Sequence, residues 1–195
     1  MTFEEEIQAL PSECRALFDS PDGGWKLCEI LPKIYLPKDA AYPKHRPWEV
    51  CGLVFFNRGR FHEAHAIFER LYLQMLRYEI ETSEHTPKGV PLVWMSECQR
   101  GLGRAMIARR LIMLTLIEDA VASGGRVSPT EHGSYFRAVW IFGIPHANIE
   151  KYALMAHQLY QRDPRLAHFR SGYCSSWRPI GSLVTLPPRK RTYIR

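Results

Sequence analysis

The stretch from Trp48 to Leu71, WEVCGLVFFNRGRFHEAHAIFERL, constrains the fold more than any other part of the chain. Trp48, Cys51, Gly52 and Phe55 recur at helical spacing and share one face of a helix. Asn57-Arg58-Gly59-Arg60 interrupts that pattern, and Gly59 suits the left-handed residue that ends a helix. Phe61, Ala64, Phe68 and Leu71 then mark one face of a second helix. Gly52 and Ala64 are small, so the two helices are expected to approach closely, with aromatic rings filling the space on either side.

The pattern resembles the tetratricopeptide repeat, whose signature is W-x2-L-G-x2-Y, a turn, then A-x3-F. Trp48, Cys51, Gly52, Phe55, Gly59, Phe61, Ala64, Phe68 and Leu71 take those places in order. Cys51 replaces the usual Leu, and Leu76 stands where the closing Pro belongs. The resemblance implies an all-α chain, a right-handed array of antiparallel helical hairpins of about three units. A second unit opens with Leu92, Met95 and Ser96, turns at Gly101-Leu102-Gly103, and continues through Ala108, Ile112 and Thr115. Gly103 follows Gly59 by 44 residues, against about 34 in this family and about 40–47 in HEAT and armadillo repeats. A third unit opens at Ser128-Pro129-Thr130-Glu131, which reads as a cap, a first-turn proline and a capping-box acid. Tyr135, Phe136, Val139, Trp140 and Phe142 supply its apolar face, and Gly143-Ile144-Pro145 its turn. A long last helix lined by Ile149, Tyr152, Ala153, Ala156 and Leu159 ends near Arg162. The expected organisation is residues 1–47 as N-terminal helices and a Pro-rich linker packing on the array, 48–164 as the repeats, and 165–195 as a C-terminal cap and basic tail.

Before the array, Thr2 and Glu5 fit a capping box, and Pro11 is expected either to kink a helix over residues 2–19 or to open the second of two short helices there. A short helix is expected from Trp25 to Leu31 with Trp25, Cys28 and Leu31 inward. Pro32, Pro37, Pro43 and Pro47 make residues 32–47 an ordered linker. The helix from Phe61 is expected to reach about Glu81. Within 165–195, Tyr173, Trp177 and the run from Ile180 to Leu186 are expected to cover the end of the array.

No apolar run approaches the ~20 residues of a membrane span, and MTFEEEIQAL is too acidic for a signal or transit peptide. Five scattered cysteines without C-x-x-C speak against a disulfide frame or zinc site, so a reducing cytoplasm is the expected location. His62, His65 and Glu69 have metal-compatible spacing but suggest no fourth ligand, and they read as solvent-facing polar residues. Cys51 and Cys98 fall on apolar faces and read as core. Gly101-Leu102-Gly103-Arg104 lacks the Lys-Ser/Thr of a phosphate loop and follows a helix, so it reads as a turn. No catalytic residue, metal ligand or cofactor site is expected.

The first helix of each unit lines the concave face of such arrays. The resemblance places Glu49, Leu53, Phe56 and Asn57, then Val93, Trp94, Glu97 and Arg100, at exposed groove positions. Phe56 and Trp94 would be anchors for a partner, or would pack on the N-terminal helices. The carboxylate clamp of some family members is not expected, because Glu49 and Leu53 occupy two of its places. The expected function is a noncatalytic adaptor that holds a protein segment in the groove. The competing reading rests on a net charge of +6. Arg100, Arg104, Arg109 and Arg110, with Arg189, Lys190 and Arg191 in the tail, would then contact nucleic acid. Pairing of two copies through an uncovered end is left open.

Overall fold

The computed structural model describes residues 1–35, 45–82, 88–123, 127–128 and 132–162. Nine helices and no strand occur among them. Thr2 caps α1 (Phe3–Gln8) through a complete capping box with Glu5, and Pro11 directly precedes α2 (Ser12–Arg15). Next come α3 (Gly23–Tyr35), α4 (His45–Asn57) and α5 (Phe61–Thr82). They are followed by α6 (Gly89–Gly101), α7 (Ala105–Ala122), α8 (Gly133–Trp140) and α9 (His146–Arg162). None of the described helices is long and apolar enough to cross a membrane.

Two helix ends repeat the same hydrogen bonding. At the end of α4 the Gly59 amide donates to the Phe56 carbonyl and the Arg60 amide to the Phe55 carbonyl, both at 2.9 Å. At the end of α6 the Gly103 amide donates to Arg100 at 2.9 Å and the Arg104 amide to Gln99 at 2.8 Å. Both are Schellman closures. Both need a residue with positive φ, and Gly59 and Gly103 have φ of 72° and 73°. The third turn is one residue wider: Ile144 donates to Ala138 at 2.9 Å, with Gly143 at φ 62°.

Across the first two turns, α4 packs on α5 and α6 packs on α7. The close approach expected at Gly52 is present: a Cβ there would lie 2.5 Å from the Phe68 ring. At the corresponding place in the next pair, the Ser96 hydroxyl donates to the Ala108 carbonyl at 2.8 Å. α4 is buried nearly all round, with Trp48, Val50, Cys51, Val54 and Phe55 in the core. α1, α3 and α5 all pack against it.

The first core runs from Leu10 to Leu111, and a second gathers Ile112, Leu116, Tyr135, Ala138, Ile144 and Ile149. α7 therefore supplies both.

The N-terminal segment is tied to the first turn by two arginines. Arg60 donates to the carbonyls of Phe18, Ser20 and Pro21 at 2.7–3.0 Å, and its guanidinium lies 4.5 Å above the Phe55 ring. It also pairs with Glu63, whose carboxylate accepts the Gly24 amide at 3.0 Å. Arg58 donates to the Phe18 carbonyl at 2.6 Å and to Asp19.

Several expectations are corrected. α3 is longer than the expected helix and runs through Pro32, while Pro47 lies in the first turn of α4, where its missing N–H costs no helical bond. The linker read over 32–47 is thus helical at both ends, and its middle, 36–44, lies outside the described residues. Trp25 is exposed rather than inward; Leu27 and Leu31 take the buried face. Phe136 and Trp140 are likewise exposed, because Tyr135 and Ala138 form the buried stripe of α8. α8 begins at Gly133 with His132 at its N-cap, and the proposed cap's Pro129-Thr130-Glu131 lies outside the described residues. So does everything read into residues 163–195, including Arg189, Lys190 and Arg191.

Candidate functional site

Three helices begin around one cleft: α4 with His45, α6 with Gly89 and α8 with Gly133. The cleft holds about 460 Å³. Met75, Val90, Pro91, Val93 and Trp94 give it an apolar floor. His45 and Glu49 stand in one wall; Thr115, Asp119, His132, Ser134 and Arg137 complete the lining. Neither Lys88 nor His132, the N-cap residues of α6 and α8, caps its helix with a side-chain hydrogen bond. First-turn amides of a helix have no intrahelical acceptor, and the helix dipole makes that end positive.

The charged lining is tightly held. Arg137 donates through Nε to Glu97 at 2.7 Å, and Arg100 donates to the other oxygen of the same carboxylate at 2.8 Å. Glu49 accepts from Arg46 at 3.0 Å, and Arg46 also pairs with Glu6 of α1 at 2.7 Å. The Ser134 hydroxyl donates to Asp119. Burial lifts the Asp119 carboxyl above its usual range, against the opposing pull of that hydroxyl and of nearby His132.

Ser134, His132 and Asp119 lie together without forming a nucleophile relay. A catalytic triad places the imidazole between the hydroxyl and the carboxylate. Here Ser134 donates directly to Asp119, and His132 Nδ1 accepts the Ser128 amide at 3.1 Å.

Of the residues expected to form a groove, Glu49 and Trp94 line this cleft, with Val93 beside them. The expectation of exposure is corrected for Glu49 and Glu97, each about 6% exposed: Glu49 pairs with Arg46 one turn earlier in α4, and Glu97 with Arg137 of α8. Phe56 and Trp94 pack on each other at 5.3 Å between ring centroids, against the first core. Trp94 also stacks on Phe68 at 6.0 Å. Leu53 is half-buried against the first core, Asn57 is exposed, and Arg100 is exposed but engaged with Glu97. Arg104, Arg109 and Arg110 are exposed.

No protein-family model, curated protein or solved structure matches this chain.

Cys51 and Cys98 are fully buried, and burial raises both thiols, Cys98 to about 12. A thiol so raised is not a nucleophile at neutral pH. His65, expected to face solvent, is buried; burial and then the charge of Arg104 lower its pKa to about 4. His45, Asp119, His132, Ser134 and Arg137 were not anticipated as a group. Their common signal is position at or near helix starts and in the neighbouring α7, and the sequence hides it because Lys88 and His132 are not typical caps.

Proposed function

We propose that the chain is a noncatalytic interaction module, a tetratricopeptide-like array of helical hairpins whose cleft holds an extended segment of a partner protein. One observation carries this reading. The starts of α4, α6 and α8 converge on an apolar-floored cleft of about 460 Å³, with hydrogen-bonding groups at its edges. An extended segment matches such a lining, because its backbone carbonyls find donors at helix starts while an apolar side chain reaches the floor. The pairing of α4 with α5 and of α6 with α7 across like turns supports the array. The direct Ser134–Asp119 bond supports a binding role over a hydrolytic one.

The test is photo-crosslinking from position 93 in the full chain within its native cells, with nuclease treatment before capture. Val90 is about half exposed, so Val90→Arg should obstruct the cleft without unfolding the protein. The expected result is one protein adduct that survives nuclease and falls at least about tenfold in Val90→Arg. An adduct insensitive to Val90→Arg would overturn the cleft reading. Material that vanishes with nuclease and depends on Arg104 and Arg109 would favour nucleic-acid binding instead.

A further inference from the structure

Arg46, Arg58, Arg60, Arg77, Arg100 and Arg137 each pair with a carboxylate. The guanidinium groups of Arg104, Arg109 and Arg110 pair with none among the described residues, and all three side chains are exposed. Arg70 is exposed and unpaired too, but it belongs to the α3 side of α5, where its charge acts on Cys28. Arg104, Arg109 and Arg110 fall together, at the N-cap and in the first two turns of α7. Side-chain bonds on a helix tilt toward its N-terminus, which turns Arg109 and Arg110 toward the end that Arg104 occupies. The helix start adds its own partial positive charge there.

Nothing along the chain offsets this charge, since no acidic residue occurs between Glu97 and Glu118. Its reach is visible at His65 of α5, where burial and then the charge of Arg104 lower the pKa to about 4. Arg100 belongs to a different structure, because it is held on Glu97 with Arg137. The fold thus separates three available guanidinium groups from one already committed.

The surroundings indicate the kind of partner. Gly101, Gly103 and Ala105 are exposed beside the arginines, and Met106 is the one large apolar side chain exposed among them. A protein interface needs a desolvated core of aromatic or aliphatic anchors, and a membrane-bound helix needs an apolar face to insert. A nucleic-acid backbone needs neither. Its affinity comes from phosphates neutralised by cations, and small residues let it approach closely. The guanidinium fork matches a phosphate in two hydrogen bonds.

We propose that the start of α7 is a docking surface for the phosphate backbone of a nucleic acid, held by Arg104, Arg109 and Arg110. The length of α6, about 18 Å, separates it from the cleft. Nucleic acid is then a second guest of the molecule, and the inference does not depend on the cleft's ligand.

The test is fluorescence anisotropy of the full chain with two labelled probes, a DNA duplex of about 20 base pairs and an RNA strand of about 20 nucleotides, between about 50 and 200 mM salt. Expected is binding to at least one probe that weakens steeply with salt. Replacing all three arginines with Gln should cut affinity at least about tenfold and lower the slope of log K against log salt by about 2–3. Each single substitution, at an exposed and unpaired position, should lower the slope by about 1 and leave the urea melt unchanged. Arg70→Gln should leave affinity within about twofold. No binding at the lowest salt would overturn the proposal. So would binding that the triple variant retains in full, which would place the contact elsewhere in the chain. Displacement of the probe by polyglutamate as readily as by unlabelled nucleic acid of equal charge would overturn it in favour of an acidic protein partner.

Discussion

Gly52 and Gly59 lie in one hairpin and should respond to alanine for different reasons. At Gly52 a methyl group would meet the buried Phe68 ring at 2.5–2.8 Å, so the helices must part or the ring must move. Gly52→Ala should cost about 1–3 kcal/mol in urea unfolding. At Gly59 no atom lies within 4 Å, and the cost comes from a φ of 72° alone. Gly59→Ala should therefore cost about 1–2 kcal/mol, and pairing it with Phe68→Leu should leave that cost unchanged. The same pairing should recover part of the Gly52→Ala loss. His65 offers a pH test. Its folded pKa, about 4, lies below the ordinary 6.5, so the unfolded chain binds its proton first as pH falls. The stability is present above pH 6.5 and is lost progressively toward pH 4, by about 2–3 kcal/mol. Urea melts across that range should show a shallower dependence in His65→Gln.

Among the elements, the two Schellman turns were the most legible. Their glycines, the small residues and the aromatic spacing all lie within one hairpin, so local sequence contains the whole constraint. The Thr2 capping box and the length of α5 were legible for the same reason. Buried charge was not, because its partners are distant in sequence: Glu97 is buried by virtue of Arg137, and Gly24 meets Glu63. Lys88 is the extreme case. It is wholly buried just before α6, paired with Glu79 of α5 and lying 3.4 Å from Glu118 of α7. Lys88→Met should cost about 3–5 kcal/mol at pH 7, since it strands carboxylates in the interior. Burial already pushes the Glu118 carboxyl up to about 7, so Glu118→Gln should change stability by less than about 1 kcal/mol in the same melts. Arg60→Ala should loosen the N-terminal segment, speeding hydrogen exchange across α2 and the start of α3 while α6 and α7 keep their protection.

At the scale of the molecule, α7 faces two cores, giving Leu111 to the first and Ile112 and Leu116 to the second. The second core is the smaller and should open first. Leu116→Ala should cost about 2–4 kcal/mol and accelerate exchange in α8 and α9, with α4 and α5 little affected. Uniform acceleration across the chain would show that the cores unfold as one. The all-helical character could be read from the sequence, since periodicity reports it directly. The cleft could not, because it is assembled from helix beginnings brought together only by packing, and its polar residues follow no shared spacing. Those beginnings have a further effect. Each helix start carries roughly half a positive charge of backbone origin. Three of them around His45, Gly89 and Gly133 act as a fixed electrode that neither titration nor side-chain replacement removes. An alanine scan of the lining would therefore leave much of the cleft's positive potential in place, because that part is written into the course of the main chain.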